Sequence, residues 1–264
     1  MPCLNNLGCD QAEGLRRLFS APKPRVITLL SSVPDADKDR LLVNLSVAVE
    51  RAGSEVLLVD ARLASTGIAT RVGNQAGLSL VEAVRGNLAL EEAVSRIPQG
   101  CQLMTLARKR EILNEANPAE LALAFASVTR NSRFILIDGE IAAKGRPFPL
   151  DAMEHGEVVL QLCSGQESVK SAYALLKRLN ARLGRRPFSI LVTGSNEREA
   201  GIIFRNLADA ANRYLAISLN CWGWVPTDAH LDHATRLGKS VVNAFPLAGA
   251  AIALRRIAEN LVSI

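Results

Sequence analysis

Aromatic residues are scarce in this chain of 264 residues: seven Phe, two Trp and two Tyr make up 4% of it. With so few rings, the core must be filled by Ala, Leu and Val. That filling suits helices packed on a buried parallel sheet. Cysteine is sparse too. Cys3, Cys9, Cys101, Cys163 and Cys221 are odd in number and widely spaced, and no CxxC occurs. They read as reduced thiols, not as a disulfide framework or a zinc ribbon. No apolar run approaches the roughly 18 residues of a membrane span. Near the start, Asp10 and Glu13 interrupt any secretory h-region. The expectation is a cytoplasmic protein that does not cross a membrane. No block of single-sign charge is present either. The net charge of +5 is spread along the sequence, so no nucleic-acid partner is expected.

A local absence says more. The stretch "VITLLSSVPDADKDRLLVNLSVAVERAG", residues 26 to 53, reads as strand, loop and helix. Phosphate-binding loops occupy that place in α/β chains, and they depend on glycine. The run "SSVPDADKDR" contains none.

What is there is a regular alternation. Short apolar runs fall at 26–30, 55–60, 102–106, 133–138, 157–162, 188–193 and 221–226. Helical patterns fall between them at 39–52, 79–97 (broken near Gly86), 118–130, 168–183, 197–213, 228–237 and 247–262. Strands alternating with helices predict an α/β fold with a doubly wound, mostly parallel sheet. Residues 4 to 19 form a separate, weak helical pattern that ends in the proline-rich "SAPKPR". The predicted division is residues 1–24, a helical extension with its linker, and residues 25–264, one domain.

In such sheets ligands sit at the carboxyl ends of the strands. Leu30 leads into the glycine-free loop, while Asp60 and Asp138 each close an apolar strand. An Asp there can hold Mg²⁺ or its water shell. It can equally cap a turn.

The order of these features, with "VNLS" at 43–46 and "LLVDARLA" at 57–64, resembles the MinD/ParA family of P-loop ATPases. There, a deviant KGGxGKT loop precedes a "VNLA" helix and a "DADLG" segment. "LSLVEAVRGNLALEEAV", "FILIDG", "SVKSAYALLKRLN" and "WGWVPTDAHLDHATRLGKSVVNAFP" are similar to the flagellar-number regulators of that family, FlhG, also called FleN. The resemblance runs from residue 26 to residue 262 in one register. It implies a P-loop NTPase fold. "DQAEGLRRL", residues 10 to 18, looks like the DQA activator helix of FlhG proteins, which stimulates FlhF, a signal-recognition-type GTPase. The resemblance places Asp10, Gln11, Ala12, Leu15, Arg16 and Leu18 at that partner. Flagellar switch or regulatory proteins are further partners it suggests. A short, marginal helix on a proline linker is suited to folding on binding.

Carried over onto this sequence, the resemblance puts the family's signature Lys on Val33 and its glycines on Pro34, Asp35 and Asp37. The P-loop Lys falls on Lys38 and the Mg²⁺-holding Thr on Asp39. A phosphate loop works by pointing consecutive backbone N–H groups inward, along a path glycine permits. Pro34 has no N–H, and three Asp side chains repel phosphate. In "DARLA", Asp60 remains but the second Asp of the family is Arg62. After Asp138, the family's Thr is Gly139. The expected product is a pseudo-ATPase that acts by protein binding, with neither ATP nor Mg²⁺ as a working cofactor and no catalytic residue or metal site assigned. The alternative is an ATPase, or a nucleotide binder in an altered pose, using Lys38, Asp60 and Asp138. Arg62 could also attract another anion. A MinD-like accessory of a different polar machine is a third reading.

Other constellations have plainer readings. His230 and His233 lack a third ligand in the sequence. Lys177, Arg178, Arg182, Arg185 and Arg186 complement a helix C-terminus. The last helix reads as core, so weak or no membrane binding is expected. Trp222 and Trp224, either side of Gly223, could be core or a small contact surface.

Overall fold

The computed structural model describes residues 23–263, apart from 63–66 and 75–76. Four of its eight strands come from nearly continuous apolar runs with both faces covered. These are β1 (Arg25–Ser31), β2 (Val56–Asp60), β5 (Phe134–Asp138) and β6 (Glu157–Cys163). Every residue of β2 and β5 is buried, as a strand between two helical layers must be. With β3 (Val94–Arg96), β4 (Gln102–Thr105), β7 (Phe188–Thr193) and β8 (Leu219–Val225) they form one sheet, in the order β3-β4-β2-β5-β1-β6-β7-β8. Among the described residues only the β3–β4 pairing is antiparallel. The doubly wound, mostly parallel sheet is therefore as the sequence predicts.

Helix α1 (Asp35–Arg51) is buried along Leu41–Val49 against one face of the sheet. Asn44 fixes it there, its side-chain carbonyl accepting the Val241 N–H at 2.6 Å. On the same side lie α2 (Ile68–Arg71) and α11 (Gly249–Val262), whose buried Leu254, Ile257 and Leu261 join that core. The opposite face is covered by α3 (Leu80–Gly86), α5 (Pro118–Thr129), α7 (Gln166–Leu183) and α8 (Glu197–Leu215), with the short α4 (Arg110–Asn114) and α6 (Asp151–His155) in the connections. The last connections carry α9 (Ala229–Arg236) and α10 (Val241–Ala244).

The helical pattern at 79–97 breaks near Gly86, as expected, but does not resume as an α-helix beyond it. Residues 79–97 are helical only over Leu80–Gly86, which Ser79 opens with a capping box to Glu82. Asn87 then turns into the left-handed region at φ 49° and ends the helix. After a single 3₁₀ turn, Val94–Arg96 pairs with Gln102–Met104 across a turn that contains Gly100 at φ 113°. The backbone hydrogen bonds of that hairpin outweigh the helical tendency of the sequence.

The helix expected at 39–52 begins four residues earlier, at Asp35. Asp35 and Asp37 lie in its first turn, where the helix dipole favours acid. Only Ser32, Val33 and Pro34 separate it from β1.

Candidate functional site

The carboxyl ends of β1, β2 and β5 bring Lys38, Asp60 and Asp138 into one buried cluster. Lys38 and Asp60 are each 3% exposed and Asp138 is fully buried. The short turn above them has little to offer an anion. The Ser32 N–H donates to Gln161 O at 3.0 Å, and the Val33 N–H donates to Ser31 Oγ at 3.0 Å. Pro34 has no N–H. The N–H groups of Asp37 and Lys38 both return to Pro34 O.

Lys38 turns inward. Its ammonium meets Asp138 Oδ1 at 2.5 Å and donates to Gly139 O at 2.9 Å. Glycine at 139 has a steric cause, because a Cβ there would lie 2.6 Å from Thr28 Cγ2. Asp60 serves the backbone that follows it, accepting from the N–H groups of Ala69 at 3.0 Å and Arg62 at 3.3 Å. Gly67 passes so close that a Cβ would come within 2.3 Å of Asp60 Oδ2. Asp60 thus caps its turn, the plainer of the two roles open to it.

Arg62 lies at the centre, and nothing in the residue order indicates where its guanidinium points. It does not present itself to an outside anion. Its Nε donates to Asp138 Oδ2, Nη2 to Asp39 Oδ1, and Nη1 meets Asp35 Oδ1, each at 2.7 Å. Arg71 reaches Asp39 Oδ2 at 2.6 Å from the rim. Two of the three Asp residues that looked like repellents of phosphate, Asp35 and Asp39, are partners of this arginine; the third, Asp37, pairs with Arg40.

Among the buried side chains, two cations, Lys38 and Arg62, face three carboxylates, Asp39, Asp60 and Asp138. Burial pushes the Asp39 carboxyl up to about 7, assisted by Asp138 and opposed by Arg62, Arg71 and Lys38. Burial, then Asp138, also pushes Asp60 up to about 6. For Arg62, burial works against the charge, but Asp138, Asp39, Asp35 and Asp60 outweigh it and raise its pKa. A guanidinium suits this place because its fork can serve several carboxylates and it does not deprotonate.

The loop that follows β5 is held as well. Arg178 donates to Ile141 O, and Arg182 to Ala142 O and Gly145 O. Arg186 donates to Glu154 O and Gly156 O. The basic run at the end of α7 thus fastens the 141–156 segment to the body, a role the dipole argument did not foresee.

Two clefts adjoin the cluster. One, of about 430 Å³, passes Ser32, Asp35, Lys38, Glu140 and Arg178. The other, of about 280 Å³, lies over the ends of β6, β7 and β8, between α1 and the start of α9. Gln161 and Thr193 line its floor; Gln161 Oε1 is buried and has no hydrogen-bond partner among the described residues. His230 and His233 stack on Phe245, at ring separations of 4.8 and 5.0 Å, and no cluster of three or more metal-ligating side chains occurs among the described residues. Asp10, Gln11, Ala12, Leu15, Arg16 and Leu18 lie outside the described residues.

Comparison with known proteins agrees with the architecture. No family model matches the chain. It is 25% identical over 253 residues to the antiactivator FleN of Pseudomonas aeruginosa, across 94% of this chain and 90% of that protein. The cell-division protein MinD of Aquifex aeolicus superposes with a TM-score of 0.65 at 17% identity, over 91% of this chain and 97% of that one. MinD of Pyrococcus horikoshii, complexed with Mg-ADP, gives 0.65 at 23% identity, over 90% and 96%. A ParA-family ATPase from Chlorobium tepidum gives 0.66 at 16%, over 90% and 98%. No helix among the described residues is long and apolar enough to cross a membrane.

Proposed function

We propose that this MinD/ParA-type, FlhG-like chain regulates the number or placement of flagella by binding other proteins, and that it runs no ATP cycle of its own. The observation that carries this reading is Arg62, buried between Asp35, Asp39 and Asp138. The residues present do not fit Mg·ATP. Asp138 is engaged by two internal cations, Asp60 by backbone N–H groups, and in the turn after β1 the Ser32 and Val33 amides are bonded within the chain while Pro34 has none. Binding a metal there would mean separating Arg62 from its carboxylates, and breaking a buried pair costs about 3–5 kcal/mol. The arginines that hold residues 141–156 work against a moving loop in the same region.

Similarity to an antiactivator supports a regulatory role. The partner-binding element of this reading is the DQA segment, through Asp10, Gln11, Ala12, Leu15, Arg16 and Leu18, and its target is an FlhF-type GTPase. GTP hydrolysis by such a GTPase is expected to rise on adding the full chain. With Gln11→Ala the rise is lost. A GTPase that ignores the wild-type chain contradicts this role.

A second reading has its own support. The cleft of about 430 Å³ beside Lys38 leaves room for a nucleotide in an altered pose. Micromolar Mg·ATP binding that Lys38→Ala abolishes would establish it.

A further inference from the structure

The two edges of the sheet are protected very differently. At one end, β3 is three residues long, carries Arg96, and is followed by Pro98. Short length, charge and proline are the usual means of keeping an edge from pairing with another chain. At the other end, β8 has seven residues, "LNCWGWV", with no charge and no proline. A bulge opposite Ile190 and Leu191 leaves Trp222 as the extra residue and is the strand's one protective irregularity. Beyond it the outer row of backbone N–H and C=O groups has no neighbouring strand among the described residues.

The surface beside this edge is equally unusual. Both tryptophans of the chain are on β8, and each is only half-buried. Trp222 packs with the α11 layer and Trp224 with the opposite layer. Between the strand and α11 runs a cleft of about 260 Å³, which includes Ile252, itself 49% exposed. Its single charged lining residue is Arg256. Arg256 is exposed, lies over the Trp224 ring at 5.3 Å, and makes no ion pair among the described residues. A guanidinium held on an indole face is positioned for a carboxylate.

We propose that the β8 edge and this cleft dock an extended, acidic segment of a partner protein, added to the sheet as a further strand. The backbone edge supplies hydrogen bonds and the cleft takes alternate apolar side chains. Arg256 selects a carboxylate on the incoming strand. A second copy of this chain is the poorer occupant, because a symmetric pairing would bring Arg256 toward its own equivalent. The site is separate from the Arg62 cluster and does not depend on whether nucleotide binds.

Because Trp222 and Trp224 are the only tryptophans, tryptophan emission of the full chain, excited beyond the tyrosine absorption band, reports this site alone. The probe is a set of capped seven-residue peptides of alternating Val and Thr, with one Glu placed at each position in turn, and a matching set with Lys. At least one Glu peptide is expected to shift the emission, slow amide exchange over residues 219–225, and bind about tenfold more tightly than its Lys counterpart, as for one charge-assisted hydrogen bond. In Arg256→Glu, checked for an unchanged melting temperature, the preference should invert. The proposal is overturned if no Glu peptide shifts the emission, if exchange over 219–225 is unaffected, or if the Glu preference survives in Arg256→Glu. Sedimentation that shows the free chain already paired through β8 would overturn it too.

Discussion

The carboxyl edge of this sheet is used in two ways. Over β1, β2 and β5, Lys38, Arg62 and Arg71 are matched against Asp35, Asp39, Asp60 and Asp138, and nearly every charge finds its partner inside the chain. Over β6, β7 and β8, a cleft of about 280 Å³ stays open above Gln161 and Thr193. Its one cation, Arg40, bridges two partly exposed carboxylates, Asp37 and Asp232. Both halves of the edge carry a cleft, but over β1, β2 and β5 the charges at the strand ends are locked into a buried ion cluster, whereas over β6, β7 and β8 they are not. A fold shared with Mg-nucleotide proteins carries no assurance of the chemistry, which depends on a handful of side chains at strand ends.

The sharpest way to break this contrast is Arg62→Ala. It leaves Asp39 and Asp138 buried without their main partner, and a loss of about 3–5 kcal/mol is expected in chemical denaturation. A loss below about 1 kcal/mol would mean that the cluster is not structural.

Next in size is a dependence on pH. The folded-state pKa values of Asp39 and Asp60 lie above the ordinary 3.8, at about 7 and about 6. The folded chain therefore holds protons that the unfolded chain releases. The stability these two groups contribute is complete below about pH 4 and is lost as pH rises through 6 and 7. Asp39→Asn should flatten the decline over that range; an unaltered profile would count against the assignment.

Arg182→Ala should cost about 1 kcal/mol and speed amide exchange over residues 141–145, since the carbonyls of Ala142 and Gly145 lose a donor. On the open side, Arg40→Ala should cost less than about 1 kcal/mol, because the Asp37 and Asp232 side chains are 45% and 61% exposed. A larger loss there would erase the difference between the two halves.

Much of the sheet could be read in the sequence, because strands covered on both faces leave apolar runs that little else produces. The hairpin at 94–104 could not. Three residues become a strand only through pairing with Gln102–Met104, and nothing local announces that pairing. At the site, sequence showed which residue types had changed and left open where they point. The partners of Arg62 at Asp39 and Asp138 lie 23 and 76 positions away. Asp35 and Asp39 beside a lost phosphate loop read as repulsion until the guanidinium between them is seen. Arg71 gave no signal, since an exposed-looking Arg in a short helix has many equivalents along the chain.

Calorimetric titration of the full chain with Mg·ATP tests the central claim most directly. No binding heat up to millimolar nucleotide is expected, because Arg62 and Lys38 already neutralise the carboxylates that a metal would need. Micromolar binding that disappears in Lys38→Ala would contradict the claim and return this chain to the nucleotide-binding members of its fold.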